Sequence, residues 1–496
     1  MVSRQHYPGW LKTILADNAR PPPKLFAWAP ANLDTTPSTE QGGADGRSGT
    51  QPVADWAAAP DGTKTDLDKR IFILGVGNIG RLYASLLAKH PNPVPITLVV
   101  HGRELLSQWV AGEGVRLAHH RGSGRTPDKN KDFDIEWWTE TRPRCGPVRE
   151  VADGGKLRNL FISTKASAAM LEADRLRRYL DKSSSLVFAQ NGMSKLWPPH
   201  GPVYVAGRYH AGNAPNFSAC VVNHGVLSTG PFQSTHTAPA DASIGPEQEQ
   251  EQEQEQEQEQ EQEQEQEQEQ EKEKEKEQMQ EQQHSVPTDA DFFTSYIAST
   301  PLLNTKLVSS GELWLLQLEK LTMNAVINPL TALLRCKNGD LVASRDPEDP
   351  LVRVLDKLLG ETSAVLQALI NHDSSTDILV SYACAQRIQN PPDSGNHHDQ
   401  GTNLARVRGE LTERFSQPSL KFKLYTFGEK VGENRSSMLQ DVEAGKKTEV
   451  RDFNGWIADM ADFLDTGLDV TVHRRLIELV ESCKILDKEE LARTLL

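Results

Sequence analysis

The sequence predicts an α/β domain with a parallel sheet, followed by an all-α domain. Residues 71–74 (IFIL) and 95–100 (PITLVV) are short apolar runs, and residues 81–90 between them carry leucines at helical spacing. Apolar strands that alternate with helices are typical of a parallel sheet buried on both faces. Later in the chain the apolar residues follow helical spacing, first over 305–334 and then over 351–371. This change of period predicts two domains of different class.

The chain divides into three predicted regions. Residues 1–69 are rich in Pro, Gly, Ala, Asp and Thr without a sustained period, and we expect a disordered arm because such a segment buries too little apolar surface. Residues 70–300 form the predicted α/β domain, and residues 301–496 form the predicted helical domain. Within the first domain, residues 246–284 are an alternating Glu-Gln insert, which we interpret as a solvated spacer without chemistry.

The formal net charge of −15 comes almost entirely from the insert. The tract from Glu247 to Gln283 contains 17 Glu and 3 Lys, a net −14, which leaves about −1 for the rest of the chain. A nearly neutral folded part has no basic field to attract nucleic acid, and no apolar run reaches the roughly 18 residues that a membrane span needs. We therefore expect a protein that binds neither nucleic acid nor a membrane.

The cysteines and the N-terminus bear on where the protein works. Five cysteines are scattered without a CxxC pair, which is typical of reduced, mostly buried thiols in an intracellular protein. The first 24 residues lack an apolar secretory core and carry four basic residues against one acidic residue, a faint likeness to a mitochondrial presequence. The sequence leaves a cytoplasmic and a mitochondrial location open.

A glycine-rich turn joins the first predicted strand to the first helix. Gly75, Gly77 and Gly80 form G-x-G-x-x-G, with Asn78 and Ile79 between the second and third glycines. The first glycine allows the tight turn, the second lets a pyrophosphate approach the backbone, and the third lets the helix pack closely on the strand. Backbone N–H groups at the helix N-terminus then face the phosphate charge. The motif in this context predicts a Rossmann domain that binds a dinucleotide.

The residues after the second strand indicate which dinucleotide binds. NAD sites place an acidic side chain at this strand end, on the ribose 2′-hydroxyl, whereas this sequence has His101 there and Arg103 two residues later. A cation suits a 2′-phosphate, so we expect NADPH. Two alternatives stay open: Arg103 as an ordinary solvated residue, and Glu104 as a late acidic candidate.

The most informative segment is the predicted helix near the start of the second domain. Lys320, Asn324 and Asn328 are spaced four residues apart, which places them within about 80° of one helical face. Most other side chains of residues 311–334 are apolar, and a helix that is apolar on most sides is buried, so its polar stripe needs partners. Either the stripe forms a structural hydrogen-bond network or it lines a ligand cleft. Pro329 disfavours helical geometry at Asn328 and predicts a kink there.

No metal site is expected. The most suggestive histidines, His397 and His398, lie in a polar stretch from Asn390 to Asn403 that is typical of a surface loop. A metal site needs several ligands at suitable spacing, and a histidine pair alone is a weak signal.

Several segments together resemble the ketopantoate (2-dehydropantoate) reductase family. The two longest are EKLTMNAVINPLTALLRCKNGDL, residues 319–341, and SSMLQDVEAGKKTEVRDFNGW, residues 436–456. Shorter runs follow the order of the family: GVGNIG, STKA around Lys165, QNGM around Asn191 and NHG around His224. The resemblance implies a Rossmann domain followed by an all-α domain, the 6-phosphogluconate-dehydrogenase-like fold, with the active site between them. The N-terminal arm and the acidic insert depart from the family pattern.

The resemblance also implies roles for individual residues. Lys320 would be the general acid that protonates the keto oxygen, and Glu449 would lie in the same cleft and orient the Lys320 ammonium. Asn324, Asn328 and Ser437 would hold the hydroxyl and carboxylate end of the substrate. A proton-donating ammonium fits this chemistry, because hydride addition to a ketone leaves an alkoxide.

Other predicted contacts have plainer alternatives. The resemblance places Lys165 near the cofactor and Asn191 beside the nicotinamide, yet Lys165 could be a solvated loop lysine and Asn191 a turn residue. Ser437 could cap the following helix, with Gln440 in capping-box register. Glu449 could be a surface carboxylate paired with one of the two lysines shortly before it.

The reaction that the resemblance implies is NADPH-dependent reduction of 2-dehydropantoate to pantoate, a step towards pantothenate and coenzyme A. A second hypothesis is reduction of another branched 2-keto acid, since pockets separate methyl-sized differences by only about 1–3 kcal/mol. A third is a non-catalytic NADPH-binding sensor, against which the presence of the lysine and both asparagines argues. The expected partner is therefore a small 2-keto acid, and the chain could also form a homodimer.

Overall fold

The computed structural model describes residues 7–17, 21–33, 67–119, 126–247, 291–389, 400–465 and 467–496. Some predicted features lie outside the described residues: residues 34–66 of the predicted arm, the Glu-Gln tract after Glu247, and the histidine pair His397 and His398.

Strands of two sheets form the scaffold of the first domain. Each strand is short and apolar where it lies in the interior, as the predicted strands are. In chain order the strands are β1 (Phe26–Trp28), β2 (Ile71–Leu74), β3 (Ile96–Val100), β4 (Val115–His119), β5 (Asp128–Asn130), β6 (Asp134–Thr139), β7 (Asn159–Ile162), β8 (Ser185–Phe188), β9 (Asn216–Val222), β10 (Gly225–Gly230), β11 (Gln233–Ala238), β12 (Ala242–Pro246) and β13 (Thr305–Leu307).

The larger sheet has nine strands in the order β1-β6-β3-β2-β7-β8-β9-β12-β13, and the smaller has the order β10-β11-β4-β5. The six strands from β6 to β9 in the larger sheet run parallel, in the order of a doubly wound Rossmann sheet. β1 pairs antiparallel with β6 at one edge, and β12 pairs antiparallel with β9 near the other. The central strands β2, β3, β7 and β8 are buried along their whole length. The predicted parallel α/β sheet is therefore confirmed.

Helices cover the sheets up to residue 299 and make up the second domain from residue 310 onward. In the described part of the chain, no helix is long and apolar enough to span a membrane. The helices are α1 (Gly9–Ala16), α2 (Asn78–Leu87), α3 (Arg103–Ala111), α4 (Ala166–Arg175), α5 (His200–Arg208), α6 (Asp291–Ser299), α7 (Ser310–Leu334), α8 (Pro350–Asn371), α9 (Thr376–Gln389), α10 (Gln400–Arg414), α11 (Gln417–Lys430), α12 (Ser437–Glu443), α13 (Val450–Leu464), α14 (Thr471–Glu481) and α15 (Lys488–Leu495).

The long helix α7 runs through the core of the second domain and packs against α8, α13 and α14. It begins at the cap residue Ser309, whose hydroxyl accepts a backbone N–H of the first turn. The helix continues through Pro329, where the sequence predicts a kink. Proline has no N–H to donate to the carbonyl four residues earlier, and the side-chain amide of Asn454 donates to that carbonyl, on Ala325, at 2.8 Å.

The N-terminal segment corrects the predicted disordered arm, because part of residues 1–69 is ordered. α1 buries Leu11 and Ile14, and β1 pairs with β6 at the edge of the larger sheet. The backbone N–H of Leu25 donates to the Tyr179 hydroxyl at 2.8 Å, across 154 positions of sequence. Long-range contacts of this kind leave no local period in the sequence, so the order was not predictable from composition.

The boundary between the domains also differs from the predicted boundary at residue 301. Thr305 pairs with Ala242, which makes β13 part of the larger sheet and not the start of the predicted helix. The second domain therefore begins with α7, after a strand too short to show a period of its own.

The cysteines are more exposed than the sequence predicts. Cys220 is buried, whereas Cys145, Cys384 and Cys483 are exposed. The expectation that most thiols are buried is therefore wrong.

Candidate active site

A deep cleft lies between the two domains. Its first wall includes the β2–α2 turn and the residues that follow β3, β7, β8 and β9, and its second wall includes residues of α7, α11 and α12. The first wall is the carboxyl edge of the parallel strands, where open α/β sheets bind their ligands.

The glycine turn has the geometry that a dinucleotide pyrophosphate needs. Gly75 has a φ of +97°, and a Cβ there would meet the backbone nitrogen of Thr164 at 2.8 Å. A Cβ at Gly80 would lie 2.1 Å from the carbonyl oxygen of Gly75, so α2 packs directly on the turn. A Cβ at Gly77 would have no atom within 4 Å. The N-terminus of α2 thus opens into the cleft at Gly77, as a phosphate group requires.

Asn78 and Ile79 both line the cleft beside Gly77. The side-chain amide of Asn78 donates to the carbonyl of Val226 at 3.2 Å and accepts from the Ser234 hydroxyl at 3.2 Å. The side chain therefore ties the start of α2 to the smaller sheet, and this interaction fixes the first turn of the helix.

Arg81 was not among the predicted site residues, although it directly follows the glycine motif. Its guanidinium donates to the carbonyl oxygens of Val76 at 3.0 Å, Gly77 at 3.2 Å and Gly230 at 2.9 Å. Burial lowers the pKa of Arg81 to about 10. The side chain therefore joins the glycine turn to the smaller sheet.

The residue predicted to contact the 2′-phosphate, Arg103, is the first residue of α3. His101 lines the cleft at the end of β3, but the chain turns into α3 after Gly102, and Arg103 is exposed outside the cleft wall. Glu104 is also exposed and accepts a hydrogen bond from Gln108 of the same helix at 3.2 Å. Contact of Arg103 with the 2′-phosphate therefore stays a prediction, and so does the alternative role of Glu104.

The polar stripe of α7 faces the cleft, as one of the two predicted alternatives requires. Lys320, Asn324 and Asn328 all line it. The Lys320 ammonium donates to the carbonyl oxygen of Val222, the last residue of β9, at 2.5 Å. The Asn328 amide lies 3.5 Å from the Ser437 hydroxyl. The stripe thus forms one wall of a polar binding site.

Lys320 is a weaker base than an ordinary lysine. Burial lowers its pKa to about 8, while Cys220 and Glu449 act in the opposite direction. Burial also raises the pKa of the Cys220 thiol to about 11, so this thiol is neutral at neutral pH. Glu449 is therefore the group that favours the charged form of Lys320, and an acid with a pKa near the working pH transfers protons efficiently.

Glu449 is buried at the start of α13, with 7% of its surface exposed. It accepts a hydrogen bond from Asn191, and its carboxylate lies 3.7 Å from the Lys165 ammonium. Burial raises the pKa of Glu449, and Lys165 opposes that shift. The alternative of a surface carboxylate paired with Lys446 or Lys447 is therefore wrong.

Lys165 connects the two walls of the cleft. Its ammonium lies 2.6 Å from the Asp441 carboxylate of α12 and 3.7 Å from Glu449. Although burial opposes its charge, the carboxylates of Glu449, Asp441 and Asp452 raise the pKa of Lys165. Lys165 is thus ion-paired across the cleft although 46% of its side chain is exposed, and Asp441, a residue of the quoted SSMLQDVEAGKK run, was missed as its partner.

Two adjacent serines have different environments. Ser436 is the cap of α12: its hydroxyl accepts the N–H of Leu439 at 3.0 Å and lies 2.7 Å from the Thr331 hydroxyl. Ser437 is exposed to the cleft beside Asn328. The alternative that Ser437 caps the helix is therefore wrong, because the cap lies one residue earlier.

Potential metal ligands do not cluster within the described ranges, where no three His, Cys, Asp or Glu side chains are grouped to hold an ion. The buried pair His224 and His236 lies 3.1 Å apart between ring nitrogens, and the other ring nitrogen of His224 lies 2.9 Å from the carbonyl of Leu303. These contacts join β11 and the residue before β10 to the segment before β13.

Comparison with known proteins assigns the chain to a family. The model of ketopantoate reductase PanE/ApbA matches residues 71–249, and the model of its C-terminal domain matches residues 312–484. The chain belongs to the ketopantoate reductase family. The predicted resemblance is thus confirmed, and with the glycine turn it makes the cleft an NAD(P)H site.

Individual relatives differ widely in similarity. A ketoisovalerate reductase of Beauveria bassiana is 56% identical over 497 residues, which cover 100% of both chains. A probable 2-dehydropantoate 2-reductase of Schizosaccharomyces pombe is 23% identical over 84% of this chain and 97% of its own. The structure of D-mandelate dehydrogenase with NADH and anilino(oxo)acetate is 12% identical, with a TM-score of 0.50 over 85% of this chain and 99% of that one, and has the same fold.

Proposed function

We propose that the chain reduces 2-ketoisovalerate to 2-hydroxyisovalerate with NADPH. The main support for 2-keto acid reduction is the stripe of Lys320, Asn324 and Asn328 in the interdomain cleft. It places an ammonium and two amides together on one wall. The whole-length identity to a ketoisovalerate reductase favours this 2-keto acid.

The neighbours of the stripe support a branched aliphatic substrate. Leu316, Met323 and Ile327 lie beside the polar residues on α7 and also line the cleft. Apolar side chains suit an isopropyl group, whereas 2-dehydropantoate carries an additional hydroxymethyl group that needs a polar partner. An apolar pocket rejects an added hydroxyl by only about a hundredfold, so 2-dehydropantoate is the second candidate, supported by the family.

The cleft fits a dinucleotide in two respects. The open position at Gly77 and the free N-terminus of α2 suit the pyrophosphate, and Asn191 follows β8 at the edge where a nicotinamide would lie. His101 occupies the place of the acid that NAD sites use, which favours NADPH. When bound, NADPH supplies the hydride.

The chain's own residues supply the proton and the orientation. Lys320 donates its proton to the keto oxygen as charge develops there and regains a proton from solvent, while the negative charge of Glu449 favours the ammonium form. Asn324, Asn328 and Ser437 bind the carboxylate and orient the carbonyl carbon. A positioned acid of this kind contributes a rate factor of about 10²–10⁴.

The test is the oxidation of NADPH by the purified full chain with 2-ketoisovalerate or 2-dehydropantoate. We expect a higher kcat/KM with 2-ketoisovalerate and a loss of about 10²–10⁴ in Lys320→Ala. Lys430→Ala is the matched control, because Lys430 also lines the cleft but is exposed on α11. A preference for 2-dehydropantoate would reverse the order of the two substrates. Tight NADPH binding without turnover of either would instead support the sensor.

A further inference from the structure

We propose that Asn454 is a positioning residue, which holds the backbone of α7 at Pro329 and thereby places the substrate-binding stripe in the cleft. The inference rests on the proposed function, since the stripe is assigned to a 2-keto acid there. Asn454 itself lies on α13, outside the cleft wall.

The starting observation is a gap in the hydrogen-bond ladder of α7. Pro329 cannot donate to the carbonyl of Ala325, which lies four residues earlier. The Asn454 side-chain amide fills this gap and donates to the Ala325 carbonyl at 2.8 Å. Ala325 and Asn454 are both fully buried, so no solvent replaces the bond if Asn454 is lost.

The orientation of the Asn454 amide is fixed by a chain of hydrogen bonds behind it. The Thr362 hydroxyl donates to the carbonyl of Leu358 at 2.8 Å and lies 3.0 Å from Nε2 of His473. Since the Thr362 hydrogen is already used, Nε2 of His473 is the donor and Nδ1 is the acceptor. Nδ1 lies 3.0 Å from the Asn454 amide nitrogen, so this nitrogen serves both His473 and Ala325.

The neutral form of His473 agrees with this direction. Burial lowers the pKa of His473 to about 4, so Nδ1 keeps its lone pair at neutral pH. With Nδ1 accepting, the Asn454 nitrogen has one hydrogen for each of its two acceptors. The network therefore fixes the donor towards α7.

The gap in the hydrogen-bond ladder of α7 lies beside the residues of the substrate-binding stripe. Ala325 directly follows Asn324, and Pro329 directly follows Asn328, so the missing bond begins next to one asparagine of the stripe and encloses the other. Helices bend where a bond of the ladder is absent and nothing replaces it. Displacement of a reacting or binding group by about 1 Å can lower a rate by about a hundredfold. Asn454 therefore acts on the substrate through the backbone of α7.

The experiment is a double-mutant cycle of Asn454→Ala and Pro329→Ala. Pro329→Ala restores an N–H that donates to the Ala325 carbonyl within α7, whereas in the double variant His473 still lacks the donor that Asn454 supplied. We expect Asn454→Ala to lower kcat/KM for the 2-keto acid by about ten- to a hundredfold, with the Kd for NADPH unchanged. The double variant should regain most of kcat/KM while its Tm stays low.

Ser363→Ala is the matched control, because it removes a buried hydrogen bond of α8, to the Phe415 carbonyl at 2.8 Å, that is not part of the network of Thr362, His473 and Asn454. It should lower Tm and leave kcat and KM near their wild-type values. Equal kinetic losses in Ser363→Ala and Asn454→Ala, or a double variant no better than Asn454→Ala, would overturn the positioning role and leave Asn454 a residue of the core alone.

Hydrogen exchange separates this inference from the proposed function. Backbone amides of residues 324–331 should exchange faster in Asn454→Ala and return towards wild type in the double variant, whether or not the protein turns over a 2-keto acid. A wild-type protein that turned over no 2-keto acid would refute the proposed function. The comparison of hydrogen exchange between the wild type and the variants would still test the role of Asn454. Unchanged exchange in Asn454→Ala would refute the inference even in an active enzyme.

Discussion

The Lys320 ammonium donates to the carbonyl oxygen of Val222 at 2.5 Å, which joins the central helix of the second domain to the last parallel strand of the first. The proposed acid belongs to one domain, but its ammonium is held at the strand edge of the other. The Lys165–Asp441 ion pair crosses the same cleft in the opposite direction, from the first domain to α12. Any opening of the cleft would therefore separate the proposed acid from the strand edge of the first domain, where the nicotinamide is expected.

The pKa of Lys320 predicts the pH dependence of the reduction. Because burial lowers this pKa to about 8, and the lysine acts as an acid only when protonated, kcat/KM should fall as pH rises through about 8. Measurement of kcat/KM across this range, with NADPH saturating, tests the prediction. A profile that stays flat well above pH 8 would exclude Lys320 as the acid.

Glu449→Gln should move that midpoint to lower pH, because Glu449 raises the pKa of Lys320. The same pH profile in the variant provides the measurement. Asp462→Asn is the control, since Asp462 pairs with Arg474 on the surface of the second domain, and its profile should match that of the wild type. A Glu449→Gln midpoint at or above the wild-type value would contradict the proposed electrostatic link.

Substitutions at two positions of the glycine turn should affect different properties, NADPH binding at one and stability at the other. Gly77→Val should weaken NADPH binding by about tenfold or more, because the new side chain occupies the open position in the cleft. Its effect on the free energy of unfolding should be about 1 kcal/mol or less. Gly80→Ala should instead destabilise the fold by about 1–3 kcal/mol, since its Cβ would overlap the Gly75 carbonyl. Fluorescence titration with NADPH and denaturant unfolding distinguish the two, and equal losses of stability would refute the assignment.

Substitution of the two adjacent serines should likewise separate an effect on stability from an effect on substrate binding. Ser436→Ala should lower the free energy of unfolding by about 1 kcal/mol, as the loss of a helix cap does. Ser437→Ala should leave stability unchanged and raise KM for the 2-keto acid by about tenfold, the value of a hydrogen bond to a charged group. Steady-state kinetics and thermal unfolding of both variants test this, and a KM effect confined to Ser436→Ala would reverse the two roles.

Arg103 predicts a small effect on cofactor choice. Because it is exposed outside the cleft wall, Arg103→Ala should change the ratio of kcat/KM for NADPH and NADH by about fivefold at most, as expected for a solvated charge. His101→Asp should shift the ratio towards NADH, since it restores the acid that binds a 2′-hydroxyl. A much larger loss of NADPH preference in Arg103→Ala would instead show that Arg103 binds the 2′-phosphate.

Local patterns made the strand–turn–helix of the first domain predictable. The burial of β2, the glycine turn and the leucines of α2 follow one another within a few residues, so their spacing carries the structure. The stripe of α7 was predictable for the same reason, because Lys320, Asn324 and Asn328 share a face of one helix. Their roles towards a substrate stay predictions that the variants above test.

Features that depend on long-range contacts were not predictable. The order of α1 and β1 depends on partners such as Tyr179, which lies far along the chain. The helix cap at Ser436 could not be separated from Ser437 by sequence, because either serine fits the pattern.

The pairing of β1 with β6 has a consequence for any shortened form of the protein. A chain that starts at residue 71, where the family match begins, would lack β1 and leave β6 without a neighbour on the side that β1 covers. Trp137 and Trp138 lie on that strand. An uncovered edge strand with large aromatic side chains is a template for pairing with another molecule. The N-terminal segment therefore covers an edge strand that would otherwise favour aggregation.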